Sequence, residues 1–423
     1  MLFRSGGKST LTTLAVSSVL AHAASVFGYY SVPYANTLRT AAQNAWNWAA
    51  ANPNVIFNNT PFNTGSGASY NPDDGIYGDA SNSYYRATSY KTVAAAYLFN
   101  AFGATAGATY KTNFESLYAS TNQMTWMAGS DTYFPDWQVV LDALLTYANN
   151  TDATGSHATA IRNKFTALVT TSSKLLPAYT SSTDAYRAYL NYYPWNSNQQ
   201  KAQIGIQMQT LRANNLSPAS NTALQNASLG FINYLHGLNP NAKCYLSQMN
   251  TLGAENSQNE VYHGWFWDGT AYDNALTSSV GPFPGLLIGG PNQDYSGTVS
   301  PPVGQPAQKA YKDWNTDYPE ASYEITEIGI YTQAAYIRLA SRFMGGSSTT
   351  CTLVAGTAVS VQSGNWTDPA TWQCGTIPTA TSLTQIKAGH IVTVNGVAYS
   401  NRVQFEATTK VIYTPAGRLV LGQ

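Results

Sequence analysis

The sequence predicts an all-α fold, an α/α toroid or bundle, followed by a small β-rich module. Three observations predict it. Apolar residues recur at helical spacing in segment after segment up to residue 344. No alternating strand pattern separates those segments. After the Gly-Gly-Ser-Ser-Thr-Thr run at 345–350 the pattern changes to period two.

The clearest helix spans 37–52, where Leu38, Ala41, Ala42, Ala45, Trp46 and Ala49 share one face and Asn52-Pro53 ends it. Segments 91–102, 137–148, 158–176, 199–214 and 217–238 follow the same spacing, and 325–343 closes the series. Two long connections, 54–84 and 239–304, interrupt it. Long segments without regular structure inside a compact domain are usually functional. The second holds Tyr262, His263, Trp265, Phe266 and Trp267 among Asp and Asn residues, the mixture a sugar cleft needs.

Residues 345–350 read as a linker between a 1–344 domain and a 351–423 module. In the module, 359–362, 391–394 and 403–405 alternate apolar and polar residues. A small sandwich and a truncated β solenoid both fit that pattern. Trp366 and Trp372 there read as core residues rather than sugar platforms. Cys351 and Cys374 could pair in an oxidising compartment, which leaves Cys244 as a buried thiol.

Residues 11–20, preceded by Arg4 and Lys8 and followed by Ala21-His22-Ala23, have the outline of a secretion signal. Thr12, Thr13, Ser17 and Ser18 interrupt the apolar stretch, so the favoured reading is a helix of the mature fold. No run of about 18 apolar residues occurs, and no membrane span is expected.

Lys+Arg and Asp+Glu are balanced at 21 each, so the formal net charge is zero. Without a basic stripe a nucleic-acid partner is not expected. Only 10% of residues are charged while 13% are aromatic, including 30 Tyr and 10 Trp. Such a surface does its polar work with hydroxyls, amides and ring faces, which suits carbohydrate.

Three segments then converge. The first runs Tyr311-Lys312-Asp313-Trp314, then Tyr323-Glu324-Ile325-Thr326-Glu327, with Gln333-Ala334 six and seven residues after the acid. The second begins at Gly237-Leu238-Asn239-Pro240. It passes Val261-Tyr262-His263-Gly264-Trp265 and ends in Pro284-Gly285-Leu286-Leu287-Ile288-Gly289-Gly290-Pro291-Asn292. The third is Trp195-Asn196-Ser197-Asn198. Together they resemble glycoside hydrolase family 9, the inverting cellulases, from about residue 9 to residue 344.

The resemblance implies an (α/α)6 toroid, incomplete at its N-terminus, and a secreted endo-β-1,4-glucanase acting on cellulose or a related β-glucan. It makes Glu327 the general acid and places Asp313 and His263 against the sugar beside the scissile bond. Trp265, Tyr262, Trp195 and Tyr323 are the further substrate-binding candidates. The chemistry agrees: a general acid must stay protonated, and the apolar neighbours Ile325, Ile328 and Ile330 would raise the Glu327 pKa by desolvation. The family's His-x-Arg is His263-Gly264-Trp265 here, so a stacking ring stands where a cation is usual.

An inverting enzyme also needs a base, which the family places in an N-terminal D-A-G-D motif. That motif is absent from this sequence. Asp73, Asp74, Asp79, Asp131 and Asp136 are not assigned the role. The expectation is a chain lacking its base and showing no turnover; a non-catalytic glycan-binding remnant is the alternative. No cofactor is assigned, although the loops carry enough carboxylates for a structural calcium.

Overall fold

A helix with one apolar face must bury it, and the shortest way is to fold back on the next helix. A computed structural model describes residues 9–28, 30–55, 87–121, 124, 135–171, 184–216, 221–344 and 356–422. The chain divides into two units, Met1–Arg342 and Phe343–Gln423.

In the first unit the helices pair as successive hairpins. These are α1 (Thr10–Phe27) with α2 (Val32–Ala51), α3 (Ala87–Ala106) with α4 (Ala108–Leu117), α5 (Pro135–Asn149) with α6 (Gly155–Thr171), and α7 (Ser197–Ala213) with α8 (Asn221–Leu235). Helices α1, α3 and α5 also pack side by side, and α7 packs on α10 (Ile330–Ala340). Helices α1, α3 and α5 thus form one row and α7 and α10 a second pair. Arg338 of α10 clamps Asp142 of α5 with both guanidinium nitrogens, tying the pair to the row.

Helix α7 is buried along most of its length, including Asn198, Gln199, Lys201, Gln203 and Gln207. Lys201 donates to the Ala188 carbonyl and the Tyr193 hydroxyl, and its ammonium lies 3.9 Å from the centre of the Tyr234 ring. Burial pulls its pKa down to about 7.

Three local expectations change. Helix α1 does have the length and apolar composition of a membrane-crossing helix. Its Ser and Thr residues interrupt the apolar run but leave its mean hydropathy at 1.5. One face, with Leu14, Ser17, Ala21 and Ala24, is buried in the hairpin bundle, and Ser17 donates to the Ala42 carbonyl at 2.8 Å. Helix α4 was not expected; its buried side chains are only Tyr110 and Phe114, too few for a visible apolar period. The long helix expected at 325–343 is broken: a single turn, α9 (Tyr323–Thr326), is followed by extended backbone at Glu327 before α10 begins.

The second unit is built of short strands: β3 (Thr357–Val359), β4 (Gly364–Asn365), β5 (Leu383–Ile386), β6 (Ile391–Val394), β7 (Val397–Ser400), β8 (Arg402–Phe405), β9 (Lys410–Tyr413) and β10 (Arg418–Leu421). They stack as β3-β5-β8, β4-β6-β9 and β7-β10, every pair parallel. Parallel pairing without crossover helices is the geometry of a coil wound on itself, not of an antiparallel sandwich. Ala358, Trp366, Trp372, Ile386, Val392, Val394 and Ala398 fill its interior. The Trp372 indole N–H donates to the Trp366 carbonyl at 2.7 Å, so both tryptophans are core. Cys374 is disulfide-bonded and Cys244 is a buried free thiol. Cys351 and the linker at 345–350 lie outside the described residues.

Candidate functional site

The chain between α8 and α10 carries the site. It contains β1 (Cys244–Ser247) and β2 (Ser257–Gln258), a two-stranded parallel pair, the single turn α9, short 3-10 turns and otherwise irregular backbone. Such a segment has few ladder hydrogen bonds, so its backbone must be satisfied by side chains. The three sequence motifs supply them.

Asn196 begins the knot. Its left-handed backbone (φ 63°) turns the chain into α7, and its side-chain amide donates to Thr332 of α10 at 2.9 Å. Ser197 donates to the Pro291 carbonyl at 2.6 Å, and Asn198 donates to the Ile288 carbonyl at 3.1 Å from its side chain. The Asn198 amide N–H reaches the Gly289 carbonyl at 2.9 Å. Gly290 has φ +91°, and a Cβ there would stand 2.3 Å from the Asn198 side chain. Only glycine admits that approach. Gly289 and Gly290 N–H groups then donate to the carbonyls of Glu327 and Ile325 at 2.9 and 2.8 Å. Gln333 completes the arrangement, accepting from the Leu287 N–H at 2.8 Å and donating to its carbonyl at 2.7 Å. Trp195-Asn-Ser-Asn, the Pro284–Asn292 run and Gln333 thus hold the backbone of Glu327.

A second knot holds His263. The Asn239 side chain donates to the carbonyls of Tyr234 and Lys243 and accepts from the N–H groups of Asn241 and Lys243. This places the Lys243 ammonium 2.7 Å from Asp313 Oδ2. Asp313 also accepts from the Gln258 amide at 2.7 Å and from the backbone N–H groups of Asn259 and Glu260 at 2.9 and 3.0 Å. Its carboxylate is therefore occupied by four donors that fix the segment leading to Tyr262 and His263. Sequence reasoning missed Lys243; nothing in its neighbourhood marks it before the chain is folded.

Glu327 is half-buried. It lies on the extended link between α9 and α10, paired in parallel with Tyr262. It therefore lies outside α10, so a role as a helix-dipole carboxylate does not arise. Burial raises its pKa above the ordinary carboxyl value; a hydrogen bond from the Trp195 side chain and the nearby His263 act the other way. Glu324, three residues earlier, is turned to Ser296, which donates to it from both its N–H and its hydroxyl.

Aromatic rings surround the acid. Trp195, Tyr323 and Trp265 are exposed, Trp265 by 71%. Tyr262 packs against Tyr323 at 5.7 Å and Trp267 at 6.2 Å between ring centres. The Tyr262 hydroxyl donates to Asp317 at 2.7 Å, which with burial raises its pKa to about 12. His263 is exposed, its ring 5.8 Å from that of Trp265. The structure thus gathers Glu327, His263, Trp195, Tyr262 and Tyr323 around one surface and uses Asp313 beneath it. Asp73, Asp74, Asp79 and Asp131 lie outside the described residues.

One acidic group could hold a cation: oxygens of Glu260, Asp268 and Asp273 lie within 4.8 Å of one another. Asp273 Oδ1 is buried without a hydrogen-bond partner, and burial raises the pKa of Glu260.

The first unit is thus an α-hairpin fold bearing a carboxylic acid in an aromatic cleft. It belongs to glycosyl hydrolase family 9, whose model matches residues 3–340. Solved structures share the fold. A metagenome-derived glycoside hydrolase family 9 endoglucanase is 22% identical, with TM-score 0.56 over 79% of this chain and 52% of its own. AaCel9A in complex with cellobiose-like isofagomine is 19% identical, with TM-score 0.54 over 79% and 56%. The cellulase Cel9M of C. cellulolyticum is 18% identical, with TM-score 0.51 over 80% and 65%. The chain spans about half the length of the first of these. No curated protein matches it.

Proposed function

We propose that the chain carries the acid half of an inverting β-1,4-glucanase site of a secreted enzyme. In this reading Glu327 donates a proton to the leaving glycosidic oxygen. The observation that carries it is the half-buried Glu327 carboxyl, its pKa raised by desolvation, set among exposed rings. An acid that keeps its proton nearer neutral pH is what protonation of a leaving group requires. His263 and Trp265 contact the sugar beside the scissile bond, with Trp195, Tyr262 and Tyr323 as stacking faces. Asp313 acts beneath them, holding the 258–263 segment in place. The family relationship and the cellobiose-like ligand of one neighbour support β-glucan as the substrate class.

The exposed rings around Glu327 also fit a second reading, a glycan-binding remnant without turnover. Incubation with cello-oligosaccharides, with product anomers followed by NMR, separates the two. The catalytic reading expects α-configured product from the wild-type chain only where a second carboxylate serves as the base, and none from Glu327→Gln. The remnant reading expects binding by both proteins and product from neither. Failure to bind any cello-oligosaccharide would refute both.

Glu260, Asp268 and Asp273 fit a structural calcium. The orphaned oxygen of Asp273 and the like charges of the group are what a hard cation would satisfy. The chemistry it supplies is charge neutralisation at the edge of the loop; no proton transfer passes through it.

A further inference from the structure

An open cavity lies at the other end of the helical unit. It holds about 440 Å³, within the range of about 300–1,000 Å³ usual for small-molecule sites. Helices α1, α3, α5, α7 and α10 all contribute to its wall. Helix α7 starts at Ser197, in the knot that holds Glu327, and reaches the cavity at Thr210, about 20 Å along the helix axis. Two guanidinium groups and one carboxylate line it. Arg338 is engaged by Asp142, which also accepts from the Gln138 amide at 3.0 Å. Arg342, just past the end of α10, is exposed and has no ion-pair partner among the described residues.

We propose that this cavity binds a sugar acid, a single carboxylate carried on a hydroxylated ring. Arg342 supplies the planar fork that a carboxylate takes up. Asp142 is already matched by Arg338, so one positive charge is left over. Helices α5 and α7 end at the wall, at Asn149 and Ala213, and their negative dipole ends disfavour a phosphate dianion. The His22 ring lies on that of Tyr97, 4.5 Å between centres and 11° from parallel, while the residue stays exposed. It gives the C–H face of a sugar ring a flat contact. Desolvation lowers the His22 pKa, so the ring is neutral at neutral pH and adds no charge.

The polar wall is set before a ligand arrives. The Asn149 amide donates to Asn214 Oδ1 at 2.6 Å, and the Asn214 amide donates to the Thr210 carbonyl at 2.8 Å. Arg162 holds both residues, donating to the Asn149 side chain and to the Asn214 carbonyl. Each of the two side-chain amides keeps a second N–H for a ring hydroxyl. Tyr97 is buried, its hydroxyl bonded to Thr146 of α5. Groups already in position lose little conformational freedom on binding. None of them belongs to the cleft at Glu327, so the inference stands apart from the glycan-cleft reading.

Calorimetric titration of the full chain with D-glucuronate, D-glucose and inorganic phosphate tests the site. Glucuronate binds at least about tenfold tighter than glucose or phosphate. Raised salt weakens it, as expected of an exposed guanidinium. Arg342→Gln lowers glucuronate affinity about tenfold, the scale of one lost charge-assisted contact. The melting temperature of that variant is unchanged, since the side chain is exposed. Saturating cellobiose leaves glucuronate binding in place. Glucuronate held no more tightly than glucose or phosphate, binding indifferent to Arg342→Gln, or displacement by cellobiose overturns the site while leaving the cleft reading intact.

Discussion

The α-hairpins and the segment from residue 236 to residue 329 solve the same problem in opposite ways. The hairpins satisfy their backbones internally and are held by apolar contact, as where Phe114 stacks on Tyr147 at 4.1 Å with Phe99 5.8 Å from the same ring; Leu98 and Leu144 of these helices are buried as well. The site segment has little regular structure and is held by amides and by the Lys243–Asp313 ion pair, with Asn239, Gln258, Asn198 and Gln333 each bonded to backbone or to each other. Packing is tolerant of direction, whereas a hydrogen bond fixes an angle. The comparison teaches that the site is aimed by polar side chains rather than by the core.

The sharpest break of that comparison is Glu327→Gln. If the chain turns over substrate, the rate falls about 10²–10⁴-fold, the usual worth of general acid catalysis, with little change in thermal midpoint. The substitution also alters the pH dependence of stability. The folded state favours the protonated carboxyl, so its contribution is present below the ordinary carboxyl value of 4.5 and is lost as pH rises through the raised folded value. Glu327→Gln flattens that step in a denaturation series across acidic pH.

Lys243→Met leaves Asp313 buried without its cation. Removing one partner of a buried pair costs about 3–5 kcal/mol. Urea unfolding should show the loss, and glycan affinity should fall with it because the 258–263 segment is released. Leu144→Ala, in the hairpins, costs about 2–5 kcal/mol by cavity formation. It lowers the melting temperature but leaves glycan affinity unchanged at temperatures where the chain stays folded. Equal effects of the two variants on affinity would erase the distinction between the regions.

A smaller effect comes from Lys201. Burial lowers its pKa to about 7 from 10.5. Between those values the unfolded chain binds more protons than the folded one, so stability rises as pH climbs through that window and is lost as pH falls through about 7. Lys201→Met removes the rise, as read from melting temperature across neutral to alkaline pH. Smallest is the response to a chelator. If Glu260, Asp268 and Asp273 hold calcium, its removal lowers the melting temperature by mass action, and Asp273→Asn abolishes the response.

Much of this site was legible before folding, and the reason is chemical. Trp195-Asn-Ser-Asn, the Pro284–Asn292 run and Gln333 are local patterns whose side chains serve local backbone, so their residue types could be recognised one segment at a time. Lys243 and Asp313 meet across a long stretch of chain, and no spacing announces such a pair. The break at Glu327 was missed because Ile325, Ile328 and Ile330 mimic a helical period; Gly329 was the available signal for an interruption. Helix α4 was missed because it buries only two rings. The period-two pattern after residue 356 showed strands but could not show that they pair in parallel, since alternation is the same in either direction.

In the β unit, position along the chain translates into height. Thr357, Leu383 and Arg402 stand in one column. A deletion shorter than one turn would therefore slide every later column out of line. Removing a whole turn would only shorten the rod and leave each remaining column intact. This unit can change length in steps.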